Sequence, residues 1–282
     1  MTDVRHVPFG PAPRPTSDAE IATRVRELLV TTGPPDVRGL DQVDITAHLD
    51  GAYIASLVVD ATGVAVGVDR SHPVRLGSVE VAHREPAVVR TFELAAHPVF
   101  VADVPVDVDI AANNLHFAWA TTSDDQLVIE VRPASDDEPV VGSVKISAPR
   151  KDIESAARTA LGDALRAKGL KLTALDIELE NRGPRALSLR ASAKVQKSVM
   201  RAAVTATATA SIDDALVFSI SDTRLVGSNP LVDGLLAPFR SRIAAQGERT
   251  VDLAALLPPG VSVSDVSVVA GAESVVVSVT LG

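Results

Sequence analysis

The chain is 282 residues long, 46% of them apolar and only 3% aromatic, so it can bury a large aliphatic core of Val, Leu, Ile and Ala. Cysteine is absent, which excludes a disulfide framework, a thiolate metal site and a Cys nucleophile. The formal net charge of −9 argues against a general nucleic-acid binder.

Residues 1–16, with Pro8, Pro11, Pro13 and Pro15, read as an extended leader outside the core. Ser17-Asp18-Ala19-Glu20 is a capping box, and Ile21, Val25, Leu28 and Leu29 then fall at helical spacing. Gly33-Pro34-Pro35 ends that helix. Val43, Ile45, Ala47 and Leu49 alternate with polar residues, the period of a half-buried strand, and Asp50-Gly51 supplies a turn. Further strand-like runs near 53–60, 63–69, 74–82, 88–95, 99–110, 114–120 and 126–132 suggest a long antiparallel meander.

Residues 133–139 read as a loop between two halves, 17–139 and 140–282, with one continuous domain as the alternative. In the second half a strand over 140–147 leads into a helix with Pro149 in its first turn. Ile153, Ala156, Ala157, Ala160, Leu161, Ala164 and Leu165 make its apolar face, and Gly169 ends it. Strands follow at 171–180, 185–196, 202–212 and 215–226. In the 202–212 run Val204, Ala206, Ala208 and Ala210 form a shallow apolar face. Asn229-Pro230 opens a third helix whose stripe is Leu231, Val232, Leu235, Leu236, Phe239 and Ile243, with a kink at Pro238. Two strands, 261–269 and 274–281, close the chain through Ala270-Gly271-Ala272.

The halves match without gaps at an offset of 132: Ile21 with Ile153, Leu29 with Leu161, Asp44-Ile45 with Asp176-Ile177, and Gly51 with Gly183. Charge divides unevenly between them. Residues 1–140 hold 10 Arg and no Lys against 22 acids, a balance of −12, and residues 141–282 hold 17 bases against 14 acids, or +3. Within 145–201 the balance is 13 bases to 6 acids, +7. Such a segment is either a solvated face or a patch for anionic headgroups or an acidic protein.

No GxSxG elbow, phosphate loop, dinucleotide fingerprint or HExxH motif is present. The six histidines, all in the first half, show no metal-ligand spacing, so neither a metal nor a cofactor is expected. Asp107 and Asp109 share a strand face and read as its solvent side. Asp124-Asp125, Asp136-Asp137, Asp213-Asp214 and Asn113-Asn114 read as turn residues. Trp119 and Tyr53 are the only Trp and Tyr, placed in the core, at an interface or on a pocket wall.

The order of the C-terminal half is distinctive: Val140-Val141-Gly142-Ser143-Val144-Lys145-Ile146-Ser147 into an amphipathic helix and strands, then Ser228-Asn229-Pro230-Leu231 into another helix, then Leu256-Leu257-Pro258-Pro259-Gly260-Val261 before a Val-rich strand. It resembles the LmeA-like family of actinobacterial proteins, whose fold is similar to tubular lipid-binding (TULIP) domains. The likeness is strongest over 140–282 and fainter over 20–132. It implies an α+β fold in which a strongly curved antiparallel sheet wraps around long amphipathic helices in two pseudo-repeated halves, enclosing a groove for acyl chains.

The expected function is therefore non-enzymatic binding or transfer of a lipid or other apolar ligand, with no catalytic residues. Ala160, Ala164, Ala206, Ala208, Leu235, Leu236 and Phe239 are the candidate groove residues. The alternative is a ligand-free scaffold using sheet surfaces and charge asymmetry for protein contacts. Expected partners are a hydrophobic ligand and a peripheral contact with an anionic membrane or protein, with no nucleic acid. The N-terminal residues lack the apolar stretch of a signal peptide, which points to the cytoplasm, or to the cell envelope if the N-terminus is processed.

Overall fold

The structure, a computed structural model, describes residues 6–33, 36–67, 79–134, 137–167, 169–197, 200–228, 249–257 and 259–282. Of these residues 62% lie in strands and 16% in helices, and only two α-helices occur among them. A sheet wrapped around long amphipathic helices is therefore not what forms. The reason lies in the residues between the helices: runs rich in Val, Thr and alternating Ala satisfy the two-residue period over great lengths and leave little chain with a 3.6-residue period. The third expected helix, with Pro238, lies outside the described residues.

The chain divides into two units, 1–147 with 257–265 and 278–282, and 148–256 with 266–277. In the first, strand β1 (His6–Pro11) pairs antiparallel with β8 (Gln126–Val131). Its Phe9 is buried, as is Pro15, so these two residues of the proline-rich start join the core, while Pro8, Pro11 and Pro13 stay exposed. Helix α1 (Asp18–Thr32) starts at the expected cap, with the reciprocal Glu20 bond made to Thr16, one residue before Ser17. Ser17 Oγ accepts from Glu20 N, and Glu20 reaches back to Thr16 N at 3.0 Å. Asp18 also accepts from Leu49 N at 2.8 Å and lies 3.0 Å from His48 Nδ1, which together hold its carboxyl below the ordinary value. Through these bonds α1 is tied to the hairpin of β3 (Asp44–Asp50) and β4 (Tyr53–Asp60), and Ile21 is completely buried beneath it.

Two long strands dominate this unit: β6 (Val81–Val101) and β7 (Val104–Thr122), joined by Ala102 and Asp103, both with positive φ. A two-residue turn with both φ positive follows the twist of its strands, which lets so long a hairpin stay paired. The separate strands expected at 88–95, 99–110 and 114–120 are thus two continuous ones. Asn114, expected in a turn, sits inside β7 at φ 61 and is passed over in the register with β6. Nor is the sheet a simple meander, because β4 runs parallel to β6. Strand β9 (Val141–Pro149) pairs with β7 on its other edge, and Gly142 permits a backbone approach to Ala111 that a Cβ would block.

The second unit carries a five-stranded antiparallel sheet in simple order: β10 (Lys171–Gly183), β11 (Ala186–Lys197), β12 (Met200–Ile212), β13 (Val217–Gly227) and β14 (Arg249–Asp252). Helix α2 (Arg150–Arg166) lies along edge strand β10, where Arg150 Nη2 and Arg158 Nη2 donate to the carbonyls of Ile177 and Leu175 at 3.0 and 2.9 Å. No residue of α2 is buried. Among the described residues of this unit only Leu175 and Val266 are.

What recurs at the offset of 132 is narrower than two equivalent halves. Each helix is followed by a hairpin turning near Gly51 or Gly183. Beyond that the pairing departs, since β4 continues to a parallel neighbour and β11 to an antiparallel one. No helix among the described residues is long and apolar enough to cross a membrane.

Candidate apolar ligand site

The first unit holds an apolar cavity of about 240 Å³. Its walls come from elements far apart in sequence. Val25 projects from α1 and Phe9 from β1, while Ile54 and Leu57 come from β4 and Val89 from β6. Leu115 and Phe117 are alternate residues of β7, as are Ile129 and Val131 of β8, so each strand presents one apolar face to the same space. Val140, Pro259 and Val261 complete the lining. Gly260, at φ 78, lets this last segment lie against Pro133 and Ala134: a Cβ there would stand 2.5 Å from Ala134 N.

Three aromatic rings stiffen this part of the unit. Trp119, 2% exposed, sits edge-on to Phe117 at 4.8 Å and tilted against Phe9 at 5.5 Å, so it touches two lining rings. Its indole N–H donates to Ala52 O at 2.9 Å, which satisfies the one polar atom buried with it. Tyr53 is exposed instead, beneath Arg90 at 5.4 Å.

Among the described residues His116 and Arg132 are the only polar members of the lining. His116 Nε2 is 3.1 Å from Glu138 O, and Arg132 Nη2 is 3.2 Å from Glu130 Oε1. Glu130 is the buried carboxylate of this region. Arg84 Nε donates to it at 2.7 Å, and His6 Nε2 lies 3.5 Å away without a hydrogen bond. Burial pushes the Glu130 carboxyl up, but the Arg84 hydrogen bond and the charges of Arg84, Arg132 and His6 outweigh it, leaving the group below its ordinary value.

Of the residues expected to line a groove, Ala160 and Ala164 are exposed on α2, and Ala206 and Ala208 are half-buried on β12. Ala208 borders a separate, polar concavity of about 600 Å³. Leu235, Leu236 and Phe239 lie outside the described residues. None of the four described alanines lines the apolar cavity. The lining residues carried a signal only as strand alternation, which reveals a face but not which faces meet. Asp107 and Asp109, expected on a solvent face, are half-exposed there and flank His97 at 3.6 and 2.9 Å. Among the described residues no group of His, Asp and Glu has the arrangement to hold a metal ion. No family of known proteins, no curated protein and no solved structure matches the chain.

Proposed function

We propose that this protein is a non-enzymatic binder of an apolar ligand, an acyl chain or a hydrophobic molecule of similar bulk, held in the cavity of the first unit. The observation that supports it is that cavity itself: about 240 Å³ walled by aliphatic and Phe side chains, with His116 and Arg132 the only polar residues among the described lining. At about 30 Å³ per group, the space accepts roughly eight heavy atoms, a segment of a chain rather than a whole lipid. Eight methylenes at about 0.8 kcal/mol contribute about 6 kcal/mol before ordering costs, so affinity for a simple fatty acid is expected no tighter than micromolar.

Native mass spectrometry of gently purified protein, with organic extraction, looks for a bound lipid. Titration with a fluorescent fatty acid measures affinity, and Val131→Phe, which fills the cavity from a half-buried wall position, is the matched variant. Saturable binding that Val131→Phe abolishes supports the reading. Absence of both co-purified lipid and fatty-acid binding overturns it.

A further inference from the structure

The +7 balance of residues 145–201 finds no role in an apolar cavity. In the second unit, part of it gathers at one end of the five-stranded sheet. There a concavity of about 360 Å³ is bordered by Lys194 and Arg201, with the hydroxyl residues Thr173 and Ser228 and the amide of Gln196. Among the described residues no acidic one lines it.

Strand register explains the gathering. Lys194 stands opposite Ala203, and Gln196 opposite Arg201, so Lys194 and Arg201 are diagonal neighbours on one face. Diagonal pairs lie about 7–8 Å apart, a spacing that two long cationic side chains can close around a small anion. Lys171, opposite Gln196 on the other side, adds a third cation to the same face. In the register the nearest acid on that face is Asp176, opposite Ser192, and it makes no ion pair with any of the three. Like charges placed so repel one another in the bare site, and a bound anion relieves that cost.

The hydroxyls are arranged to help. Thr173 occupies a bulge in β10 and donates its proton to Lys194 O at 3.0 Å, which ties the bulge to the strand that carries the lysine. Ser228 Oγ accepts from Ala203 N at 3.2 Å, so its own proton is directed away from that bond and is available to an acceptor. A guanidinium, an ammonium and a hydroxyl make a donor set suited to a tetrahedral oxyanion. The larger polar concavity on the same sheet has no such bias. Its Arg182, Arg190 and Arg224 are matched by Glu178, Glu180 and Asp222, and two of the arginines are already in ion pairs at 3.1 and 3.9 Å.

We propose that the Lys194–Arg201 concavity binds a phosphate group, carried either by a phospholipid headgroup or by a free phosphate ester. The site lies in the second unit and does not depend on the apolar cavity of the first.

The test compares wild type with Lys194→Gln/Arg201→Gln, two exposed positions whose change spares the core. The control, Lys145→Gln/Lys151→Gln, removes equal charge from other exposed positions. Each protein is titrated calorimetrically with inorganic phosphate at low ionic strength. Each is also sedimented with vesicles of phosphatidylcholine alone and of equal parts phosphatidylcholine and phosphatidylglycerol. At about five-fold per cation, the site variant is expected to bind anionic vesicles about 25-fold more weakly than wild type, and the control to bind nearly as wild type. Binding to anionic vesicles but not to inorganic phosphate supports the site with a headgroup as its source. Binding to inorganic phosphate supports it with a free phosphate as the source. The proposal is overturned if wild type binds neither probe, if the site variant binds as wild type does, or if the control weakens binding as much as the site variant.

Discussion

Arg158 Nη2 donates to the carbonyl oxygen of Leu175 at 2.9 Å, and 132 residues earlier Arg26 Nε donates to the carbonyl of Val43 at 3.3 Å. Both helices therefore use an arginine at the same relative position to cap a carbonyl at or just before the strand that follows. Among the described residues those strands, β3 and β10, are sheet edges, where unpaired carbonyls would otherwise face water or another chain. Arg158→Ala is expected to cost about 1 kcal/mol, below the 1.5–3 kcal/mol of a buried charged hydrogen bond because water replaces the donor at this partly exposed position. Arg26→Ala should cost a similar amount. Urea unfolding followed by circular dichroism measures both, and unchanged midpoints would remove any energetic role from the shared cap.

Phe9 carries a prediction about the N-terminal segment. It is 3% exposed and packs on Trp119, so Phe9→Ala should destabilise the first unit by about 3–5 kcal/mol. A loss under 1 kcal/mol in denaturant titration would show that β1 is an optional attachment.

Trp119 is the only tryptophan of the chain; it is buried, and its indole N–H is bonded to Ala52 O. Trp119→Phe leaves that carbonyl without its donor, at about 1–3 kcal/mol. In the native protein its emission should be blue-shifted, and because it touches Phe9 and Phe117, filling the cavity with a fatty acid should perturb that emission. An emission spectrum insensitive to saturating ligand would place any bound fatty acid elsewhere.

Glu130 makes stability depend on pH in one direction. Its folded-state carboxyl is held below the ordinary value of 4.5, net of the burial that opposes this, so its contribution is fully present above that value and is lost as pH falls through the lower folded one. The facing groups are Arg84, Arg132 and His6. Glu130→Gln should therefore flatten the acid limb of a melting-temperature profile and cost about 1.5–3 kcal/mol at neutral pH. An acid limb identical to that of wild type would contradict the assignment.

Gly260 tests how the cavity is closed. Gly260→Ala forces a side chain into left-handed backbone, about 1–2 kcal/mol, and drives its Cβ against Ala134 N. The expected result is a destabilised closing segment and weaker fatty-acid binding, read by hydrogen exchange over 257–262 and by the same titration. Binding unaffected by this change would separate the segment from the ligand site.

Much of the local structure was legible from residue order. The Ser17–Glu20 box, the stop at Gly33, the alternation across 202–212 and the closing hairpin through Gly271 depend on contacts within a few residues, so side-chain chemistry and periodicity suffice to place them. Pairing across long stretches was not legible. Nothing in residues 6–11 names Glu130, Ile129 and Val128 as partners, and nothing in 53–60 announces a parallel neighbour rather than an antiparallel one. The same alternation fits many registers, and a shift of one residue turns the apolar face outward. The cavity inherits that dependence. Val25, Leu115 and Ile129 each read as ordinary apolar positions, and they enclose a common space only because hydrogen-bonded ladders between distant strands bring their faces together.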